Sequence, residues 1–184
     1  MDQVRNLVEP IIKLQSAKLV LVSFFLVSLS IALPYLAHQF HLAGPMFLPL
    51  HFMALTAGLL LGWQAGLFVG LATPLMSFFF SGMPLPLLLP LMTLEIAVYG
   101  LVTGYLREKL KLNLYLSLLI ALISGRTIWL IGLFITTGGL TKSVETIRAA
   151  ATLGWPGLLL QLLIIPPLVI GLKKFYEKNS HQSG

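Results

Sequence analysis

Six apolar runs follow one another along this chain, each near the length that crosses a bilayer. They are Leu19–Ala37, Met46–Leu61, Ala65–Phe80, Pro84–Leu106, Leu114–Ile135 and Trp155–Leu172. About 20 apolar residues span the hydrocarbon as a helix, and no water is present there to satisfy an irregular backbone, so such runs fold as helices packed side by side. The expectation is an all-α integral membrane protein with six transmembrane helices. Composition agrees, because 57% of the residues are hydrophobic and 10% charged, where a soluble domain carries about a quarter charged residues. On this reading residues 1–17 form an N-terminal amphipathic segment, residues 18–172 the six-helix membrane domain and residues 173–184 a C-terminal tail.

Charge placement sets the orientation. Arg5, Lys13, Lys18, Arg107, Lys109, Lys111, Lys173, Lys174 and Lys178 all fall on one side of this arrangement, and only Lys142 and Arg148 on the other. The positive-inside rule makes both termini cytoplasmic, N-in and C-in, and accounts for a net charge of +6 without any nucleic acid. Val4, Leu7, Val8, Ile11 and Ile12 share one face of a short interfacial helix over Asp2–Ser16, interrupted by Pro10. The first apolar run lacks the small residue that a signal cleavage site needs, since Tyr35 stands three positions before a cut after Ala37. Between the runs, His38–Pro45 is a polar interruption, and Gly62, Trp63 and Gln64 read as a tight turn. Thr137–Gly154 reads as a loop holding a short surface helix at Val144–Thr152, and Pro166-Pro167 should kink the last span.

Most chemistry is excluded by what is missing. There is no GxxxxGK[ST] phosphate loop, so ATP hydrolysis by the usual route is absent, and no HExxH for a zinc protease. Ser81 and Ser124 each precede a glycine, which a turn and helix packing explain better than a nucleophile does. With no cysteine there is no thiolate metal site or disulfide framework. His38, His41 and His51 lack a nearby carboxylate and read as polar residues of the outer mouth rather than as metal ligands. The chain is expected to be no enzyme and to carry no cofactor or metal.

One acid stands inside the fourth run. A carboxylate at membrane depth is unfavourable by roughly 2.5 to 3.5 kcal/mol, so Glu95 should face the protein interior and find a partner there. Arg126, alone among the basic residues, lies inside the next run at a depth that antiparallel helices bring level with it. Glu95, Tyr99 and Thr103 fall at four-residue steps on one face of the fourth helix, and Arg126 and Trp129 lie three apart on the fifth. These residues, with His51, are the candidate binding site for a small polar solute with a flat or carboxylated part. The competing reading is a buried ion pair that fixes two helices. Small residues repeat at four-residue steps as well, at Gly58, Gly62, Gly66 and Gly70, at Gly100 and Gly104, and at Ser117, Ala121 and Gly125. Such spacing lets helix backbones approach closely in lipid.

The segments FLPLHFMALTAGLLLGWQAGLFVGLATPLMSFFFSGMP, LEIAVYGLVTGYL and ALISGR, spread over Met46–Trp129, resemble the substrate-binding S components of energy-coupling factor (ECF) transporters. The likeness is strongest to the branch that includes proposed pantothenate and hydroxymethylpyrimidine carriers. It implies a vitamin-binding subunit in a prokaryotic plasma membrane, embedded in lipid and docked on a membrane T component with two cytoplasmic ATPases. It also implies that the loop over His38–Pro45 folds across the solute, and that the S component rotates in the membrane to release it. The family's first helix often shows two alanines four apart at the T-component contact, where this chain has Ser28 and Ala32. Two other classes stand beside this one. A self-sufficient secondary transporter should show internal repeats and more intramembrane ionisable groups, and a structural membrane subunit needs no Glu95–Arg126 pocket.

Overall fold

The computed structural model describes residues 16–39, 49–137 and 140–180, and among the described residues the only regular structure is helix. In order these helices are α1 (Ser16–Gln39), α2 (Pro49–Leu61), α3 (Trp63–Ser81), α4 (Leu89–Glu108), α5 (Leu114–Thr137) and α6 (Leu140–Ser180). The amphipathic helix expected before Ser16 and most of the His38–Pro45 interruption lie outside the described residues. His38 itself closes α1 together with Gln39. Among the described residues four segments are long and apolar enough to cross a membrane: Trp63–Ser81, Leu89–Glu108, Leu114–Thr136 and Pro156–Tyr176. Ala17–Ala32 is an apolar stretch within the 24-residue α1, and Leu50–Leu61 of α2 is a shorter apolar helix. With 13 residues, α2 is about 20 Å long at 1.5 Å per residue, less than the roughly 30 Å of a bilayer's hydrocarbon.

Three connections differ from the sequence expectation. The turn between α2 and α3 is Gly62 alone, because a φ of 93° reverses the chain in one residue and leaves Trp63 and Gln64 free to start α3. Glycine reaches that conformation without the Cβ clash that other residues suffer. Residues 140–154, expected as a loop with one short helix, instead belong to a continuous 41-residue α6. Apart from Gly154 this stretch holds no helix breaker, and Ala149, Ala150 and Ala151 favour helix strongly. The helix also runs on through Pro156, Pro166 and Pro167. Arg107 and Glu108, expected in the connection between spans, form the last turn of α4, where Arg107 is fully buried. Asn113 then caps α5, its side-chain oxygen accepting the Leu116 N–H at 2.7 Å.

Packing centres on α2, which touches α1, α3, α4 and α6, while α5 lies between α4 and α6. Where α2, α3 and α4 meet, glycines remove the side chains that would hold them apart. A Cβ on Gly66 would run into the Gly100 carbonyl and lie 2.8 Å from the Gly58 Cα. A Cβ on Gly104 would strike the Trp63 backbone. Lipid offers helices no hydrophobic reason to associate, so contact of this closeness supplies the attraction. A single core then draws residues from every helix, including Val27 of α1, Leu55 of α2, Val69 of α3, Ile96 of α4, Leu118 of α5 and Ile165 of α6. Ser30 of α1 and Thr73 of α3 add a buried hydroxyl pair at 2.9 Å. Phe79, Leu87, Ile135 and Leu163 project outward from the bundle, as lipid-facing side chains do.

Candidate functional site

Glu95 and Tyr99 occupy successive turns of α4, so their side chains stack on one face, and both are buried. The Tyr99 hydroxyl donates to Glu95 Oε1 at 2.8 Å. One turn further on, Thr103 donates its hydroxyl to the Tyr99 carbonyl at 2.7 Å. Gly125 of α5 makes room for this column, since a Cβ there would collide with the Tyr99 ring. The next residue, Arg126, reaches back across the interface and brings Nη1 to 3.1 Å from Glu95 Oε1. From the other side α2 delivers His51, whose Nε2 stands 3.6 Å from Glu95 Oε2. Its ring lies 5.4 Å from that of Tyr99, tilted by 58°.

Three helices therefore converge on one carboxylate that is 2% exposed. Such burial of a charge is tolerable because Arg126 and Tyr99 both serve the same oxygen. The second oxygen is less well provided for, since 3.6 Å to His51 is beyond hydrogen-bond length. Unused capacity surrounds it. Among the described residues neither ring nitrogen of His51 has a hydrogen-bond partner, and Arg126 Nε and Nη2 have none either. Those two nitrogens form the side-on edge of the guanidinium, a pair of parallel N–H donors matched to a planar oxyanion. Arg126 is 23% exposed as a whole, while Nε and Nη2 themselves are buried beside the carboxylate.

The sequence-predicted residues fare differently. Glu95, Tyr99, Arg126 and His51 meet in one cluster, and the pairing of Arg126 with Glu95 occurs as expected. Trp129 is half-buried one turn beyond Arg126 on α5, and among the described residues no hydrogen bond or ring contact joins it to the cluster. His51 stands beside Glu95, while His41 and the side chain of His38 lie outside what the structure describes. Among the described residues no three His, Cys, Asp or Glu side chains are grouped to hold a metal. Sequence reasoning passed over Gln161, which is fully buried on α6 with neither amide atom paired among the described residues. The available signal was a lone amide inside the apolar run Trp155–Leu172.

No curated protein and no solved structure matches the chain. A family described as "ECF transporter, substrate-specific component" does, over residues 17–174. That span runs from Ala17, the second residue of α1, to Lys174 of α6 and takes in every residue of the cluster. The chain belongs to the substrate-specific components of ECF transporters.

Proposed function

We propose that this chain captures a water-soluble vitamin or vitamin precursor of the pantothenate or hydroxymethylpyrimidine class outside the cell and presents it for import. In this reading six membrane passes place both termini in the cytoplasm, with α2 as a short span. The energy comes from a T component and two cytoplasmic ATPases, because the chain has no phosphate loop of its own. It binds and delivers and does no covalent chemistry.

The observation that carries the reading is the unpaired Nε–Nη2 edge of Arg126 beside a buried carboxylate. A purely structural ion pair gains most when the arginine's donors are all engaged, whereas a binding site keeps donors in reserve for its ligand. A carboxylate such as that of pantothenate matches the edge bidentately, and an aminopyrimidine ring nitrogen or hydroxyl matches it through a single acceptor. Glu95 fixes the guanidinium plane while the solute arrives.

Calorimetric titration of the purified chain with pantothenate and with hydroxymethylpyrimidine tests the solute class. Saturable binding of one of them is expected, and binding of neither removes that class. Orientation is tested by impermeant thiol labelling of intact cells. A cysteine replacing Leu110 should stay unlabelled and one replacing Thr141 should react, with the opposite pattern inverting the topology. Expressed alone, the chain should bind solute without ATP-driven accumulation, and uptake should appear on co-expression of the T component and ATPases.

A further inference from the structure

The sixth helix holds one polar side chain that the cluster just described does not use. Gln161 has no exposed surface, and among the described residues neither its amide nitrogen nor its amide oxygen has a hydrogen-bond partner. A primary amide offers two N–H donors and an acceptor oxygen, and burying all of them unpaired incurs their full desolvation penalty. Buried polar groups in folded proteins are almost always satisfied, so an exception asks for the partner that is missing.

Its position narrows what that partner is. α6 packs against α5 and α2, the two helices that bring Arg126 and His51 to Glu95. Gln161, Ile165 and Val169 recur at four-residue steps on the buried face of α6. Ile165 and Val169 belong to one core with Met53 and Leu55 of α2 and with Leu118, Ala121 and Leu122 of α5. Gln161 therefore faces the same side of α6, toward the helices of the cluster. In the proposed topology α4 and α6 run in the same direction, and Gln161 stands about 18 Å along α6 from Lys173 as Glu95 stands about 18 Å along α4 from Arg107.

We propose that Gln161 is a specificity-determining contact for the solute. Its amide donates to and accepts from a donor–acceptor pair on the solute, such as an amide, a hydroxyl or an aminopyrimidine edge, while Arg126 holds an acidic or other acceptor group. This rests on the reading of the Glu95–Arg126–His51 cluster as a solute site. Two contacts of this kind favour a solute with an acceptor at one end and a mixed donor–acceptor group at the other. They disfavour apolar molecules and simple monocarboxylates, which leave the amide unpaired.

The test uses the full chain in lipid nanodiscs, with pantothenate and hydroxymethylpyrimidine as probes in calorimetry and with thermal unfolding of the solute-free protein alongside. Gln161→Met removes the amide and keeps the volume. It should weaken the bound probe about tenfold, the worth of roughly one hydrogen bond, and leave the solute-free melting temperature unchanged or raised. Unchanged affinity in Gln161→Met together with weakened binding in Arg126→Gln overturns the role of Gln161 and leaves the site standing. Unchanged affinity in both variants removes the site and this inference with it. If the wild type binds neither probe, the proposed solute class fails and the thermal measurement decides. A lowered melting temperature then assigns Gln161 to the fold and overturns the inference, and an unchanged or raised one supports an amide kept for a ligand.

Discussion

Along one helix, α4 meets its neighbours in two opposite ways. From Gly100 to Gly104 it touches α2 and α3 backbone to backbone, with no space for even one added carbon. One turn earlier, Glu95 and Tyr99 meet His51 and Arg126 through long polar side chains that leave several donors unspent. The first region is closed, since its contacts depend on fixed backbone atoms with no rotamer to change. The second is open, since its side chains have hydrogen bonds still to make. The closed seam makes the open cluster workable. Holding α2 and α4 rigidly together keeps His51 and Glu95 near each other without a direct hydrogen bond, and leaves both ready for a third party.

The sharpest break of this comparison is Gly100→Leu. Its side chain would meet the Gly66 backbone, which cannot rotate away, so destabilisation of about 3 kcal/mol or more is expected, at the upper end for overpacking. The yield of monodisperse protein on size exclusion should collapse, and a normal yield would show that the seam is not closed. Next is Arg126→Gln, which should weaken solute binding by about 1.5 to 3 kcal/mol, the range for a hydrogen bond to a charged group. The protein should still reach the membrane. The paired replacement Glu95→Gln with Arg126→Met should not recover affinity in calorimetry. Recovery would make the pair a strut and move the cluster to the closed category.

Smaller effects grade the boundary between the two regions. Gly125→Ala displaces the Tyr99 ring and strains its bond to Glu95, for about 1 kcal/mol of lost binding with folding retained. Equal affinity would mean that Tyr99 does not position Glu95. The smallest change expected is from Glu108→Ala. The Glu108 carboxylate accepts the Trp63 N–H at 3.4 Å at the start of α3, a helix-terminus interaction of about 0.3 to 1 kcal/mol. A slight fall in melting temperature with unaltered solute affinity is expected, and a change in affinity would couple the seam's far end to the site.

Much of this was legible in the residues. Four-residue spacing of glycines announced the seam, because only a missing side chain lets backbones meet in lipid. Glu95 and Arg126 announced each other, because an unpaired charge in an apolar run is untenable. His51 was visible as a candidate for a weaker reason, its place among histidines, while the structure gives it Glu95 as a neighbour. Trp129 was chosen by spacing alone, and spacing says which face a residue occupies on its helix without saying what stands opposite. Gln161 was missed because a single amide is ordinary in sequence and becomes conspicuous only when its surroundings offer no partner.

The sequence by itself determined the all-helical class, the need for a charge pair and the small-residue faces, since each follows from the bilayer's refusal of unpaired polar groups and from the 3.6-residue helical period. Tertiary structure alone decided that Gly62 reverses the chain in one residue and that α6 continues where a loop was expected. It also decided that Arg107 turns inward and that Arg126 keeps one edge unpaired among the described residues. These outcomes depend on which helix lies against which and at what height. Such relations join residues far apart in the chain, and no local period records them.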